Sequence, residues 1–140
     1  MPGRISASLL KLLGSGGKNR DKYNTARFAD INADGHDDLL LAISGDDANK
    51  ATQYAGMRQS RIVLNDGSNH WLEENAIELP VRRWGYATHT TDIDAADLNN
   101  DGRLDLLLTE ATVIDHKWVG QYHQLLLGDG SGGFRDIRAT

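Results

Sequence analysis

The chain has 140 residues, which predicts one domain and is long enough to bury a substantial core. The composition is that of a globular protein, 39% hydrophobic and 25% charged, and the formal net charge of −5 argues against a nucleic-acid-binding surface. The lack of cysteine excludes disulfides, thiolate catalysis and cysteine-ligated zinc, and no apolar run approaches the ~18 residues that span a membrane.

The N-terminal segment, residues 1–24, allows two interpretations. Its stretch Ser8–Gly17 resembles a later stretch, Gln124–Gly133, which favours one strand and turn of an incomplete unit. In the alternative, its apolar residues share one face of a short helix that ends at Gly14. These apolar residues are Ile5, Leu9, Leu12 and Leu13. We do not expect a signal peptide here, because a long apolar region followed by a small-residue cleavage site is missing.

An acidic loop follows the first predicted strand, Thr25–Ile31, and leads directly into a second, Asp38–Ile43. Oxygen-bearing side chains occupy loop positions 1, 3, 5 and 9, and glycine occupies position 6. A hard cation such as Ca²⁺ takes about six to eight oxygen ligands, and glycine permits the sharp bend that turns alternate oxygens inward. The four side chains are Asp30, Asn32, Asp34 and Asp38.

The rest of this unit, residues 25–80, predicts two further strands. A long polar insert, Gly45–Gln59, precedes the third strand, Ser60–Leu64. An Asp66-Gly67 turn then leads to the fourth strand, Trp71–Leu79. An Asp-Gly pair between apolar runs is a strong hairpin signal.

Residues 81–140 repeat the same landmarks in the same order. A second acidic loop begins at Asp97, 67 residues after the first, and a second Asp-Gly turn begins at Asp129, 63 residues after Asp66. The loop side chains at positions 1, 3, 5 and 9 are Asp97, Asn99, Asp101 and Asp105. The predicted strands are His89–Leu98, Asp105–Glu110, Tyr122–Leu127 and Phe134–Arg138. Two landmarks at nearly one period indicate a repeat protein.

The strands after the acidic loops contain continuous apolar runs, Leu39–Ile43 and Leu106–Leu108. Alternating polar and apolar residues would indicate one solvated face, whereas continuity predicts burial on both faces. In an antiparallel protein this arises when sheets stack face to face, as propeller blades do. The sequence therefore predicts an all-β fold of antiparallel, four-stranded, propeller-like blades: two full repeats and a partial N-terminal blade.

The loops "DINADGHDD" and "DLNNDGRLD", followed by "LNDGS" and "LLGDGSGGF", resemble the FG-GAP and VCBS repeats, the blade units of integrin-alpha-type β-propellers. The resemblance extends from about Thr25 to Arg138. It implies one structural Ca²⁺ in each acidic loop, bound by the eight side chains named above and by the backbone carbonyls of His36 and Arg103. Propellers of this family have more than two blades. The resemblance therefore leaves three possibilities: the chain belongs with further blades of a longer protein, it assembles with copies of itself, or it forms a compact pair of sheets.

Competing interpretations of the loops are weaker. An Asx-type turn with solvated carboxylates could explain a single acidic loop. It explains less well why the loop occurs twice with matching flanking sequences. An EF-hand loop needs a bidentate acid at position 12, where this chain has Leu41 and Leu108. Magnesium is less favoured than calcium, because the loops offer many protein ligands.

Other polar and aromatic residues carry weaker signals. Asp92 and Asp94 fit a catalytic carboxylate pair or a second cation site, but polar alternation on a strand explains them better. The histidines fit no ligand spacing and are predicted on the surface; they are His89, His116 and His123. Trp71 is predicted in the core between blades, whereas Trp84 and Trp118, in predicted connections, are candidate ligand-contacting aromatics.

The sequence thus predicts a non-catalytic, calcium-binding scaffold that presents loops for protein or carbohydrate recognition, as in cell adhesion. The insert Gly45–Gln59 and the connection Ala111–Gln121 are the expected seats of specificity. The alternatives are a self-assembling homo-oligomer and a part of a secreted carbohydrate-active lyase or hydrolase. We expect an extracellular or periplasmic location, no nucleic-acid partner and no membrane insertion.

Overall fold

The computed structural model describes residues 23–43, 60–80, 88–114, 117–120 and 123–138. These residues form two antiparallel sheets, which confirms the predicted all-β fold. The first sheet has the order β1-β2-β3-β4, with strands Tyr23–Ala29, Asp38–Ile43, Arg61–Asn65 and Trp71–Glu78. The second has the order β5-β6-β8-β9, with β7 paired to β6, and its strands are Thr88–Ala96, Asp105–Ile114, Lys117–Gly120, Gln124–Gly128 and Phe134–Asp136. The described part of the chain contains no helix long and apolar enough to cross a membrane.

The second sheet has one strand more than the sequence predicted. β6 continues to Ile114 and pairs with β7, where a connection was expected, so Trp118 lies on a strand. The added pairs are rich in β-branched residues such as Thr112, Val113 and Val119, which favour extended backbone. β9 is shorter than predicted, because the Asp136 carboxylate accepts the Arg138 N–H and closes a turn.

The two sheets pack face to face around one apolar cluster. β2 and β3 contribute Leu40, Ala42 and Ile62, and the second sheet contributes Ile93, Leu106, Leu108 and Leu126. The opposite face of the first sheet carries a second buried cluster, Leu39, Leu41 and Val63. The first sheet is therefore buried on both faces, as its continuous apolar strand predicts.

The prediction of burial on both faces is wrong for the second sheet. Leu106 and Leu108 are fully buried against the first sheet, but Leu107 between them is 40% exposed. Successive residues of a strand point to opposite faces, so Leu107 lies on the outer face.

Trp71 does not lie in the core between the sheets, contrary to prediction. It packs against Leu39, Leu41 and Val63 on the other face of the first sheet, and its ring lies 5.6 Å from that of Phe28. Phe134, at the corresponding place in the second repeat, does pack against the cluster between the sheets.

Polar contacts fix the relative position of the two sheets along β1 and β5. Arg27 donates from Nε and Nη2 to the two oxygens of Asp92, each at 3.0 Å, and this pairing lowers the pKa of Asp92. Thr25 Oγ1 donates to the Thr91 carbonyl at 3.0 Å. The two acidic loops, each between the first two strands of its sheet, are thereby held in equivalent places.

Candidate metal centres

Both acidic loops adopt the same backbone conformation. Positions 4 and 6 have positive φ in each copy: 56° at Ala33 and 87° at Gly35, then 61° at Asn100 and 84° at Gly102. Glycine and asparagine tolerate this left-handed region, whereas alanine adopts it at a steric cost. The chain therefore forms the same loop conformation twice, although the alanine at position 4 of the first loop disfavours a positive φ.

The position 1 carboxylate organises each loop from inside. Asp30 accepts the N–H groups of Asp34 at 3.1 Å and Gly35 at 2.8 Å. Asp97 accepts the corresponding N–H groups of Asp101 and Gly102 at 3.0 and 2.8 Å. These bonds curl the loop so that the oxygens of positions 1 and 5 lie on the same turn.

The position 9 carboxylate is buried and joins the loop to the third strand of its sheet. Asp38 accepts the Ile31 N–H at 2.8 Å and the Asn65 N–H, at the end of β3, at 2.9 Å. Asp38 has no exposed surface. The sequence identified Asp38 as a ligand candidate but not as this cross-link, because its partner Asn65 lies far along the chain.

Asp105 makes the same cross-link in the second sheet. It accepts the Leu98 N–H at 2.8 Å and the Gly128 N–H, at the end of β8, at 3.0 Å, and it too is fully buried. Gly128 is needed here for space, since an added Cβ would lie 2.1 Å from the carbonyl oxygen of Leu104.

Two residues beside the first loop were not recognised from the sequence as part of the site. Asn65 Nδ2 donates to the Asp37 carbonyl at 3.0 Å, and Trp71 Nε1 donates to the same oxygen at 3.1 Å. Asn65 Oδ1 in turn accepts the N–H groups of Gly67 and Asn69, which closes the β3–β4 turn. An "NDGSN" stretch ahead of an aromatic residue is the only sequence signal of this support.

The electrostatics of the first loop centre on the buried carboxylate of Asp38. Burial raises the pKa of Asp38, and the negative charges of Asp34 and Asp30 raise it further, against the opposing effect of its backbone hydrogen bonds. The pKa of Asp34 is lowered, mainly by its hydrogen bond from the His36 N–H. The two exposed carboxylates of the loop thus disfavour the charged form of the buried one.

The surroundings of one side-chain oxygen indicate whether a cation would fit the first loop. Asn32 Oδ1, at position 3, is buried and has no hydrogen-bond partner. A buried acceptor without a donor is costly, and a hard cation would satisfy it. Among the described residues no three Asp, Glu, His or Cys side chains form a group that could hold a metal ion. A cation in this loop would therefore also need amide and carbonyl oxygens, which calcium accepts.

The position 7 side chain distinguishes the two loops. An added Cβ at Gly67 would lie 3.8 Å from His36 Nε2, and one at Gly130 would lie 3.1 Å from Arg103 Cδ, so both side chains cover the Asp-Gly turn of their own sheet. Arg103 also donates from Nη2 to Asp101 Oδ2 at 2.8 Å. The second loop therefore has a positively charged side chain, that of Arg103, next to the predicted metal ligand Asp101.

The remaining candidates have other partners or lie outside the described residues. Asp92 is paired with Arg27, and Asp94 accepts the Ala95 N–H at 3.0 Å. His123 Nδ1 accepts the Glu110 N–H at 3.2 Å. Residues 1–22, the insert at 45–59, Trp84 and His116 lie outside the described residues, as does the side chain of His89.

Comparison with known proteins gives one match. A family model described as an FG-GAP-like repeat matches residues 30–108, more than half of the chain, from the start of the first acidic loop to the strand after the second. No curated protein and no solved structure matches the chain. The chain belongs to the FG-GAP-like repeat family.

Proposed function

We propose that the protein is a calcium-binding module of propeller-type blades, with one Ca²⁺ in each acidic loop. The first ion would be held by side-chain oxygens of Asp30, Asn32, Asp34 and Asp38 and by the His36 carbonyl. The second would be held by Asp97, Asn99, Asp101 and Asp105 and by the Arg103 carbonyl. The observation that carries the proposal is the buried, unpartnered Asn32 Oδ1, in a loop whose exposed carboxylates raise the pKa of Asp38.

The role proposed for calcium is structural. When bound, the ion supplies positive charge that offsets the repulsion among the carboxylates. Because Asp38 already joins the loop to the end of β3, an ion beside it would link the first three strands of the sheet. An ion beside Asp105 would likewise link β5, β6 and β8, because Asp105 joins the second loop to the end of β8.

We propose further that the scaffold is non-catalytic and presents its loops to a protein or carbohydrate ligand, as an extracellular or periplasmic adhesion module. The engagement of Asp92 by Arg27 favours a structural role for that carboxylate. The polar insert at residues 45–59 is the segment proposed for recognition, since loops on a rigid scaffold carry specificity.

Terbium luminescence tests the first site selectively. Tb³⁺ replaces Ca²⁺ at oxygen sites and emits when a nearby indole is excited, and the Trp71 indole is bonded to the loop carbonyl of Asp37. We expect sensitised emission that excess Ca²⁺ displaces and that Asn32→Ala abolishes. Trp71→Phe should remove the emission but leave Ca²⁺ affinity nearly unchanged.

The corresponding variant of the second loop, Asn99→Ala, is the matched control and should leave most of this emission, because the aromatic residue there is Phe134 rather than tryptophan. Emission that survives Asn32→Ala would rule out the first loop as the metal site.

Exchanging the position 7 residues should exchange the affinities of the two loops. Arg103 places a positive charge on Asp101 that a cation must displace or tolerate. We therefore expect Arg103→His to tighten the second site, and His36→Arg to weaken the first, by roughly three- to tenfold each at low salt. Calorimetric calcium titration at low and high salt measures both changes. If each substituted site binds Ca²⁺ as tightly as the same site in wild type, the interpretation that Arg103 competes with the ion is wrong.

A further inference from the structure

A groove of about 510 Å³ lies beside the second acidic loop. Its walls are the loop, the end of β8, the Asp-Gly turn and the start of β9. The volume falls within the range of about 300–1,000 Å³ that sites for small molecules occupy. The residues that give the groove its charge and its apolar surface are Asp101, Arg103, Leu127, Asp129, Phe134 and Arg135. The groove therefore presents carboxylates, guanidiniums and an apolar wall to one small ligand.

The first repeat occupies the corresponding place with a side chain of its own. There the turn carboxylate, Asp66, bonds to His70 Nδ1 through Oδ2 at 3.1 Å. The residue equivalent to His70 in the second repeat is Gly133, which likewise stands four residues after the aspartate of its turn. The oxygen equivalent to Asp66 Oδ2 is Asp129 Oδ2, because the other oxygen of each aspartate accepts the backbone N–H groups of its turn. The second repeat thus has the same turn without the imidazole.

The turn carboxylate of the second repeat keeps one oxygen for a ligand. Asp129 Oδ1 accepts the Ser131 hydroxyl at 2.7 Å and the N–H groups of Ser131 and Gly133 at 2.8 and 3.1 Å. These bonds, first that from the Ser131 hydroxyl, lower the pKa of Asp129, so the group is a charged acceptor at neutral pH. No described residue donates to Oδ2, and an added Cβ at Gly133 would lie 2.4 Å from it. Oδ2 is therefore placed to accept an O–H group of a ligand.

The positive groups of the groove favour an anionic ligand. Arg135 is exposed, and it forms no ion pair within the described part of the chain. Arg103 donates from Nε and Nη2 to Asp101 Oδ2, at 3.2 and 2.8 Å. A Ca²⁺ held as proposed would neutralise the charge of Asp101, which leaves two guanidiniums against the carboxylate of Asp129. A guanidinium binds a carboxylate through two parallel hydrogen bonds, and a singly charged carboxylate suits the groove better than a phosphate, because Asp129 repels the second negative charge.

We propose that this groove binds an acidic sugar, a uronic acid whose carboxylate pairs with Arg135 and whose ring hydroxyl donates to Asp129 Oδ2. The inference rests on the calcium loop and the carbohydrate recognition proposed above, and it names the place and the chemical class of the ligand. A sugar ring combines hydroxyls with apolar C–H faces, which suit Asp129 and the partly exposed side chains of Leu127 and Phe134. The carboxylate of an acidic peptide side chain would face Asp129 with no donor to offer it.

Titration of the full chain with galacturonate in millimolar Ca²⁺, followed by NMR, tests the inference. Galactose has the ring hydroxyls without the carboxylate, and N-acetylaspartate amide has a carboxylate without the ring. We expect galacturonate to bind roughly tenfold more tightly than either compound, since it alone satisfies both Arg135 and Asp129. In excess chelator its affinity should fall by roughly three- to tenfold, because Asp101 then regains its charge.

Arg135→Leu removes the group proposed to hold the carboxylate. It introduces the residue that the first repeat has at this position, Leu72, so the sheet should tolerate the change. The affinity for galacturonate should fall roughly tenfold, to that for galactose, and the affinity for galactose should not change. Lys117→Leu is the charge-matched control, since Lys117 is exposed but lies on β7, at the far end of β6 from the groove. This control should bind galacturonate as wild type does.

Gly133→His gives a second, independent test. It introduces the histidine that the first repeat has at this position, and the imidazole should bond to Asp129 and close the groove. We expect this variant to lose galacturonate binding, while a separate calcium titration gives the affinity of wild type. Circular dichroism of each variant separates a lost site from a lost fold.

The calcium titration also separates failure of this inference from failure of the proposed function. If calcium binds but galacturonate binds no more tightly than galactose, or as tightly to Arg135→Leu as to wild type, the inference is overturned and the calcium sites stand. The same affinity for galacturonate in calcium and in chelator would overturn it as well. Tighter binding of N-acetylaspartate amide than of galacturonate would assign the groove to an acidic peptide instead. A chain that binds no calcium would refute the proposed function and this inference together.

Discussion

Asp105→Ala is expected to destabilise the protein more than the removal of any exposed carboxylate of the acidic loops. Its carboxylate has no exposed surface and accepts two backbone N–H groups, a partly buried one from Leu98 and a buried one from Gly128. Alanine leaves both donors unsatisfied, and hydrogen bonds to a charged group contribute about 1.5–3 kcal/mol each. We therefore expect a loss of about 3–6 kcal/mol in the free energy of unfolding, and a fall in melting temperature on the order of 10 °C.

Urea unfolding in the presence of chelator isolates this effect from metal binding. Asp38→Ala should act similarly in the first sheet, since Asp38 accepts the Ile31 and Asn65 N–H groups. Asp105→Asn should lie between wild type and alanine, because the amide keeps one acceptor. Asp101→Ala is the control, since Asp101 is exposed and its hydrogen bonds, mainly from Arg103, stay within its own loop. A loss for Asp105→Ala no larger than that for Asp101→Ala would contradict the cross-linking role.

The second large effect is stabilisation by calcium. A ligand that binds only the folded state adds about 2.7 kcal/mol when its free concentration is 100 times its Kd, and two such sites add about twice that amount. Removal of both position 5 carboxylates, Asp34 and Asp101, should eliminate this gain. Both residues are exposed and their hydrogen bonds stay within their own loop, so the apoprotein should remain folded.

The local features of the site were predictable from the sequence, because they depend on neighbouring residues. The strand Asp38–Ile43 has the predicted bounds, and the left-handed turn at Gly35 and Gly102 follows from glycine at position 6. The order of strands around each loop follows from the repeat.

Long-range features were not predictable. The bonds of Asp38 to Asn65 and of Asp105 to Gly128 join residues from different strands, and no local pattern indicates them. The exposure of Leu107 depends on which face of its sheet packs against the other sheet. The sequence does not indicate this face, because Leu107 and its counterpart Leu40 are flanked by leucines in both repeats.

The placement of Trp71 failed for a specific reason. Trp71 pairs in register with Asn65, and Phe134 pairs with Gly128, the residue equivalent to Asn65 in the second repeat, so the two aromatic residues lie on equivalent faces of their own sheets. That face of the second sheet packs against the first sheet, whereas that face of the first sheet points away from the second. The sequence repeat indicates the equivalent faces but not which of them meets the other sheet.

Thermal unfolding in millimolar Ca²⁺ and in excess chelator tests the central claim most directly, with wild type compared with the double variant Asp34→Ala/Asp101→Ala. Two structural calcium loops predict a large calcium-dependent rise in the melting temperature of wild type, roughly half of it in each single variant, and none in the double variant. The same melting temperature for wild type in both buffers would contradict the account, and the acidic loops would then be turns closed by their own hydrogen bonds.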